Sequence, residues 1–459
     1  MKIGISSAII LLLVFGSITN CNAQNDAKDS RPNLLIILTD DQGYHDVSYY
    51  GTEDIRTPHI DSIIESGMRL DNFYTNSPVC SPTRAATMTG QYQDYVGVPG
   101  LIRTRQEDNW GFLDPEAALL PEVLKEHGYH TGLIGKWNLG LESPNTPNER
   151  GFDHFHGWLD DMVEDFWEHR RHGINYMRLN DQVLDTQGHH ASDLFTDWSI
   201  DYIHERAQHD QPFFLFLSHL APHFPVQPPE DWLQTVKERE PGISDTRANL
   251  VAFIEHMDDG IGQVIDALKE TGAYENTVIL FTSDNGGRLA DEANNGPYRD
   301  GKQSLYEGGL RVPTGVSWPE KMEAGTDSDR ILLTMDIFPT FLEAAGISYD
   351  GPLNGISFLP TLLGEDQGKY REEPLFFTRR EGGMRYGGLT IQAVRLGDWK
   401  MLQNTPFEPR ELYNLETDPY EENNVAEDYP EKMQELNALM MKHLQKAGAV
   451  PWQRPEDRR

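Results

Sequence analysis

The segment Asn33–Asp41, with the sequence NLLIILTDD, joins an unbroken apolar run directly to two aspartates. A strand that is apolar at every position must be buried on both faces, which is typical of a parallel sheet covered by helices. Three later segments repeat this form, each apolar run ending at polar residues. They are Gly132–Ile134 before Gly135 to Asn138, Phe213–Leu217 before Ser218 and His219, and Val278–Phe281 before Thr282 to Asn285. The pattern predicts an α/β fold with a large, mainly parallel sheet sandwiched by helices.

Segments with helical signals separate these strands. Pro121–His127 ends at Gly128, and Val251–Leu268 carries apolar residues at helical spacing. After about residue 330 the pattern changes. It then gives one helix over Met335–Ala345, short strands around Ile391–Lys400, and a long helix from Pro430 to about Ala447. We therefore predict a main domain over residues 32–345 and a smaller C-terminal α+β module over residues 346–459.

Composition and charge restrict the function. The 459 residues include 39 Lys and Arg against 73 Asp and Glu, a net charge of −34, with 38% hydrophobic residues. This is a globular composition, which excludes wholesale disorder and a fibrous fold. Nucleic-acid binders need a basic surface, so nucleic acid is not expected as a partner. An anionic substrate would need a locally positive site.

The N-terminus reads as an export signal. Lys2 precedes the apolar run Ala8–Phe15, which is too short to span a bilayer. We predict a signal peptide over residues 1–23, cleaved before Gln24, then a linker over residues 24–31 and a periplasmic protein with no transmembrane span. In the alternative, Cys21 is lipidated and anchors the protein. Either way Cys80 is left as the single ordinary cysteine.

The residues after the predicted strands form one candidate site. Ligands bind beyond the carboxyl ends of the strands in open parallel sheets. Asp40, Asp41, Asp284 and Asn285 all fall there, and their oxygen atoms suit a hard cation such as Ca²⁺ or Mg²⁺. Taken singly, each residue could instead be a helix cap or a turn former. No other His or Cys group in the sequence has zinc spacing.

Cys80 opens the segment CSPTRAATMTG, which ends at Gly90. Pro82 suits the first position of a helix with Ser81 as its cap, so Cys80 would lie just before the helix. The N-terminal N–H groups would favour an anion there, and Arg84 would add further donors. In the plainer interpretation, Cys80 is a small buried hydrophobe.

These residues resemble a known family. Cys80-Ser81-Pro82-Thr83-Arg84 matches the Cys-x-Pro-x-Arg signature of type I sulfatases, members of the alkaline phosphatase superfamily. The resemblance covers residues 32 to about 426. Its other motifs are Asp40-Asp41, Gly135-Lys136-Trp137-Asn138-Leu139-Gly140, Pro222-His223-Phe224-Pro225, Asp284-Asn285-Gly286, Lys302, Tyr306–Pro313, Asp336–Thr340, Leu412–Leu415 and Asp418-Pro419.

The resemblance implies an alkaline phosphatase-like catalytic domain over residues 32–345 and a modified nucleophile. Cys80 would be oxidised to formylglycine by a formylglycine-generating enzyme or an anaerobic sulfatase-maturating enzyme. One hydroxyl of its hydrate would attack sulfur and expel the alcohol, and the other would then lose its proton as sulfate is eliminated. The implied ligands of one Ca²⁺ are Asp40, Asp41, Cys80, Asp284 and Asn285. The implied sulfate-binding and catalytic residues are Arg84, Lys136, His223 and Lys302, with His223 as the general acid.

One residue departs from the family pattern. The second signature usually reads Gly-Lys-Trp-His-Leu-Gly, and its histidine helps to deprotonate the formylglycine. This chain has Asn138 there, and an amide cannot accept that proton. We expect an active enzyme in which another base serves, with His219 and His45 as the candidates.

The expected substrate is a sulfated carbohydrate, either an algal glycan or another polysaccharide or oligosaccharide. The segment Trp158–His172 could form a sugar-binding rim, with Trp158 or Trp167 stacking on a ring and Arg170 or Arg171 binding a second anionic group. Its alternative interpretation is a surface helix. Two rival functions stay open: a phosphodiesterase or phosphonate hydrolase of the same superfamily, and a catalytically dead protein that binds sulfated glycans.

Overall fold

The computed structural model describes residues 30–381 and 389–454. The predicted signal peptide, Cys21 and most of the predicted linker lie outside these residues. In the described part of the chain, no helix is both long and apolar enough to cross a membrane.

The large sheet is mixed and mostly parallel, in the order β10-β2-β9-β8-β1-β7-β3-β4-β5-β6. β9 and the pair β5 and β6 run antiparallel to their neighbours. Its strands are β1 Asn33–Thr39, β2 Met68–Tyr74, β3 His130–Lys136, β4 His154–Trp158, β5 Met177–Leu179, β6 Gln182–Val183, β7 Phe213–Ser218, β8 Thr277–Ser283, β9 Gly315–Ser317 and β10 Thr326–Leu333.

The helices form separate layers around this sheet. They are α1 Pro58–Glu65, α2 Cys80–Thr89, α3 Leu120–Glu126, α4 Ala191–Arg206, α5 Glu230–Arg239, α6 Asp245–Thr271, α7 Glu307–Leu310, α8 Ile337–Ala344, α9 Leu359–Leu362 and α10 Pro430–Ala447. α1, α4 and α5 pack around the long α6, whereas α2, α3 and α8 pack against one another. The predicted α/β sheet covered by helices is confirmed.

A second sheet follows in the C-terminal part. Its four antiparallel strands are β11 Leu375–Arg380, β12 Thr390–Leu396, β13 Trp399–Gln403 and β14 Glu411–Asn414. Leu436 and Met440 of α10 pack against Val394, Met401 and Leu412 of this sheet. Phe377, Ile391 and Leu402 pack in one cluster with Tyr74 and Leu305 of the main domain. The small sheet is therefore covered by α10 and by the main domain, which fits the predicted α+β module.

The register of the central strands places the predicted site residues at one edge. β8, β1, β7 and β3 are successive neighbours, and all four are parallel. Thr39 pairs with Ser283, Leu38 with Ser218, and Ser218 with Gly135. The polar residues that follow each strand therefore emerge side by side.

Two local predictions are wrong. α2 begins at Cys80 rather than at Pro82, its N-cap is Val79, and no side chain caps it. The stretch Trp158–His172 is neither a surface helix nor an exposed rim at its start, because Trp158 ends β4 and is fully buried. Trp158 lies on the same face of β4 as His154 and His156, which are only partly buried, so the alternation of the strand does not predict its burial.

Candidate active site

The start of α2 is held in place by its neighbours. Every residue of α2 is buried, and Gly90 ends the helix with φ 65°, a conformation that glycine adopts without strain. The Ser81 hydroxyl does not cap the helix. It donates to Asn138 Oδ1 (2.9 Å) and accepts from Ile102 N (3.0 Å). These bonds fix Cys80 against β3 and against the segment that contains Ile102.

The Cys80 thiol lies in the middle of the candidate site and is 2% exposed. It donates to Asp40 Oδ1 over 3.3 Å, and Lys302 Nζ lies 3.8 Å from its sulfur. Burial, and then the charges of Asp284 and Asp40, raise the pKa of the thiol well above its usual value. An unmodified Cys80 therefore stays protonated and is a poor nucleophile.

Asp40 and Asp41 follow β1 and point toward separate lysines. Asp40 Oδ2 accepts from Lys136 Nζ at 2.5 Å, and Asp41 Oδ1 lies 2.6 Å from Lys302 Nζ. Asp41 has φ 71°, in the left-handed region that aspartate tolerates better than most residues. Although burial opposes it, the charges of Lys302 and His223 lower the pKa of Asp41 far below its usual value.

Asp284 and Asn285, which follow the end of β8, complete the group of polar side chains around Cys80. Asp284 Oδ2 accepts from Arg84 Nη2 (2.9 Å) and Nε (3.1 Å), and Asp284 Oδ1 accepts from Asp41 N (3.3 Å). Burial, and then the charge of Asp40, raise the pKa of Asp284 to about 6. The carboxylates are therefore close enough to repel one another.

The oxygen atoms of Asp40, Asp41, Asp284 and Asn285 suit a hard cation. Asn285 donates its Nδ2 to Asp41 Oδ1 (2.8 Å), while its buried Oδ1 has no hydrogen-bond partner among the described residues. Asp40, Asp41, Cys80 and His223 each offer a ligand atom within 4.8 Å of the others. An unpaired amide oxygen beside mutually repelling carboxylates is a donor set suited to Ca²⁺ or Mg²⁺.

Arg84 lies among buried partners. Its guanidinium is fully buried and bonds to Asp284, to Lys136 O (3.2 Å) and to Ser218 Oγ (2.5 Å). These contacts engage all three of its nitrogens, so Arg84 positions Asp284, and its implied sulfate-binding role stays a prediction. The charges of Arg84, Lys136 and Lys302 match those of the three aspartates. The pocket is therefore balanced, and only a bound cation would make it locally positive.

His223 lies at the mouth of the site. Its Nδ1 donates to Phe224 O at 2.6 Å, so Nε2, 3.6 Å from Asp41 Oδ2, is the atom that faces the pocket. Burial and the charge of Lys302 lower the pKa of His223 to about 4. The ring is therefore neutral at neutral pH in the protein alone.

The other histidines considered as bases lie elsewhere. His219 is buried next to His256, and burial and the charge of His256 lower its pKa to about 3. His45 lies by Tyr44 and Tyr50. Of the described histidines, His223 is the one grouped with Cys80. The structure thus gives no support for His219 or His45 as a base.

Asn138 has both ends of its amide engaged. Besides accepting from Ser81, it donates Nδ2 to Ile102 O (3.1 Å), and its φ is 57°. The residue ties the start of α2 to the neighbouring segment, a positioning role that the sequence did not indicate.

One further group of possible metal ligands lies outside the candidate active site. His190 and Asp193 near the start of α4 meet His256 of α6, with possible ligand atoms within 4.8 Å. Both His190 nitrogens are already engaged, one by Gln227 O and the other by Ser192 N. His256 Nε2 pairs with Asp193 Oδ1 at 2.6 Å. These contacts describe a helix cap and a hydrogen bond between His256 and Asp193.

Sequence reasoning missed two acids beyond β4. Asp160 and Asp161 follow this strand just as Asp40 and Asp41 follow β1, and both are buried. The same strand-end rule would have found them if β4 had been predicted. Arg171, suggested as an anion-binding residue, is instead 3.1 Å from Asp161. Trp167 is 37% exposed and Arg170 is exposed, so both stay available to a ligand.

Comparison with known proteins agrees with this geometry. The sulfatase family model matches residues 32–347, and the model for the C-terminal part of N-sulphoglucosamine sulphohydrolase matches residues 298–449. Human N-acetylgalactosamine-6-sulfatase is 32% identical over 391 residues, 80% of this chain and 71% of that protein. Mouse arylsulfatase J is 30% identical, covering 88% of this chain and 74% of that protein.

A solved structure extends the likeness to nearly the whole chain. The structure of Ps i-CgsB in complex with k-i-k-neocarrahexaose has a TM-score of 0.83 and 28% identity, and covers 93% of this chain and 96% of that chain. The family match spans the residues that bring Cys80, the aspartates and the lysines together. The chain therefore belongs to the sulfatase family and is a sulfuric ester hydrolase.

Proposed function

We propose that this enzyme removes sulfate from a sulfated carbohydrate, using formylglycine at position 80 and one bound Ca²⁺. The carrying observation is the position of the Cys80 thiol, whose sulfur lies within 4.8 Å of possible ligand atoms of Asp40, Asp41 and His223 at the carboxyl edge of the sheet. A protonated thiol cannot itself run this reaction efficiently, which favours its conversion by a formylglycine-generating enzyme or an anaerobic sulfatase-maturating enzyme.

The cation would be held by Asp40, Asp41, Asp284, Asn285 and the modified Cys80. When bound, it would supply positive charge that favours a nucleophilic oxygen and helps to neutralise the sulfuryl group. The formylglycine hydrate would supply the attacking hydroxyl.

The lysines would stabilise the charge on sulfate. Lys136 and Lys302 hold their ammonium groups against Asp40 and Asp41, beside the Cys80 sulfur. Donors fixed in advance in a site that excludes water stabilise developing charge strongly. With Asp40 and Asp41 engaged as ligands of the cation, the ammonium groups of Lys136 and Lys302 would be available to sulfate oxygens.

His223 would carry the proton of the leaving group. Its Nδ1–H is fixed by Phe224 O, so a second proton can reside only on Nε2, the atom that faces the pocket. A sulfate ester that enters the site brings negative charge, which favours the imidazolium. Nε2–H can then donate to the leaving alcohol oxygen, as a general acid must.

The names of the relatives support a carbohydrate substrate. One relative is called an N-acetylgalactosamine-6-sulfatase, and one similar structure holds a neocarrahexaose. An algal glycan or another sulfated polysaccharide or oligosaccharide would fit both. The predicted N-terminal signal adds the proposal that the enzyme works in the periplasm, either free or anchored through Cys21.

The test is sulfate release. The mature chain, co-expressed with a formylglycine-generating enzyme, is incubated with carrageenan oligosaccharides and glycosaminoglycan disaccharides, and free sulfate is measured by ion chromatography. Mass spectrometry of the Cys80 peptide reports the modification. We expect release that is lost in Cys80→Ala.

Equal release from Cys80→Ala would contradict the proposed nucleophile. If Cys80 is modified but neither the wild type nor Asn138→His releases sulfate while both bind the oligosaccharides, the protein is a glycan-binding homologue.

A further inference from the structure

One buried arginine outside the candidate active site has two guanidinium nitrogens with no hydrogen-bond partner among the described residues. Arg379 lies near the end of β11 and is 1% exposed. Its Nε donates to Glu381 Oε1 at 3.0 Å, but neither Nη1 nor Nη2 has a hydrogen-bond partner in residues 30–381 and 389–454. A buried guanidinium with two unbonded nitrogens is energetically costly, so a ligand that engages them is favoured.

The carboxylate beside Arg379 is also shared. Glu381 Oε2 accepts from Arg103 Nη2 at 2.9 Å, so one carboxylate faces two guanidinium groups. Asp161, the next acid in this network, lies 3.8 Å from Arg103 Nε and 3.1 Å from Arg171 Nε. Glu381 is thus shared by Arg379 and Arg103, so it only partly neutralises the Arg379 charge.

This network borders the start of α2. Arg380 N donates to Pro99 O (2.7 Å), and Leu101 packs against Val79 and Cys80. Ile102 N, the next residue, donates to Ser81 Oγ. One short segment, residues 99–103, therefore connects the Arg379–Glu381 end of β11 with the catalytic position.

We propose that Arg379 is a specificity-determining residue that binds a second anionic group, a carboxylate or a further sulfate ester, on the carbohydrate whose sulfate is cleaved. The proposal rests on the proposed function and adds a requirement for a doubly charged substrate. The two free nitrogens form a fork that matches two oxygens of either group, which a lysine could not provide.

The test compares ligands that differ by one anionic group. One pair is kappa- and iota-neocarrabiose, which differ by one sulfate group. The other is the chondroitin 6-sulfate disaccharide and its uronate methyl ester. Affinities are measured by calorimetry in the Cys80→Ala background, so that the result does not depend on turnover, and kcat/KM is added for any sugar that is hydrolysed.

We expect the parent protein to prefer the more anionic member of one pair, and Arg379→Gln to reduce that preference about 10- to 100-fold, the range for a charge-assisted contact. The pair that responds identifies sulfate or carboxylate. Arg379→Lys should keep only part of the preference. Arg380→Gln is the matched control, since Arg380 is the next residue of β11 and bonds to Pro99 through its backbone.

A parent protein without preference in either pair, or an equal preference in Arg379→Gln, would overturn the proposal. Thermal unfolding of each variant separates loss of binding from loss of folding. Sulfate release without any effect of Arg379 would leave the sulfatase function standing and remove only this inference.

Discussion

Two groups of charged side chains are buried in this enzyme, and they are built differently. In the Lys400 cluster, Lys400 Nζ lies 2.9 Å from Glu307 Oε1 and 2.8 Å from Glu421 Oε1. Tyr74 donates to Glu307 Oε2, and Glu307 N donates to Glu421 Oε2, each at 2.6 Å. Each of the two carboxylates is thus paired with the Lys400 ammonium, and we call this cluster closed.

The Cys80 cluster, formed by Cys80 with Asp40, Asp41, Asp284 and Asn285, is left incomplete. Its amide oxygen at Asn285 is unpaired among the described residues, and a thiol occupies its centre. The pKa shifts do not separate the two clusters. Although burial opposes it, Lys400 lowers the pKa of Glu307 to about 2, but burial raises that of Glu421 to about 7, much as burial and Asp40 raise that of Asp284 to about 6. Buried ion pairs alone therefore do not mark function, but unsatisfied ligand atoms at the ends of strands do.

The largest effect should come from Lys136, which contacts the Cys80 cluster. Lys136→Met removes the ammonium that contacts Asp40 and, in the proposed reaction, the sulfate. We expect kcat/KM to fall about 10³-fold, the loss typical of one fixed donor, with stability in Ca²⁺ changed by less than about 1 kcal/mol. Sulfate-release kinetics and urea unfolding check the two parts. A variant that unfolds instead of losing turnover would show that the Cys80 cluster is a structural element.

Lys400→Met should have the opposite result. It leaves Glu307 and Glu421 buried without their cation, so we expect a loss of about 3 kcal/mol, at the lower end for a broken buried pair because Tyr74 and Glu307 N stay in place. Turnover per folded molecule should be unchanged. The matched control is Lys432→Met, which breaks an exposed pair with Glu435 and should cost less than about 0.5 kcal/mol. Similar losses in both variants would remove the contrast between buried and exposed pairs.

The third prediction tests whether Asn285 is a ligand of the cation. Ca²⁺ at about 100 times its Kd should stabilise the wild type by about 2.7 kcal/mol through binding to the folded state. Asn285→Ala removes the unpaired amide oxygen, so its stabilisation at the same Ca²⁺ concentration should be clearly smaller, while Lys432→Met should keep the full effect. Scanning calorimetry in CaCl₂ and in EDTA gives both values. Equal shifts in the wild type and Asn285→Ala would exclude Asn285 as a ligand.

Much of the Cys80 cluster was predictable from the sequence because the ends of strands are local signals. The apolar runs fixed β1, β3, β7 and β8, and parallel pairing then required the following residues to meet. Side-chain direction was not local. The sequence could not show that the Ser81 hydroxyl turns to Asn138 or that Arg84 is fully engaged by Asp284, since these partners lie 57 and 200 residues away.

The network around Arg379 was invisible for the same reason. Arg103 and Glu381 are 278 residues apart, and no periodicity relates them. Trp158 shows the opposite error. Its residue type suggested that it stacks on a sugar, but its ring is buried in the core. Residue type suggests what a side chain can do, but burial decides whether it can do it.

The smallest expected effect concerns the base that replaces the family histidine at Asn138. His219 was a candidate from its position after β7, but its ring is buried beside His256. We therefore expect His219→Ala and His45→Ala to keep kcat/KM within about threefold, whereas loss of a true general acid or base costs about 10²–10⁴-fold, as expected for His223→Ala. Sulfate-release kinetics on the four proteins, with unfolding curves to correct for folded fraction, measures this. A large loss in His219→Ala with intact folding would mean that the ring reaches Cys80 during turnover.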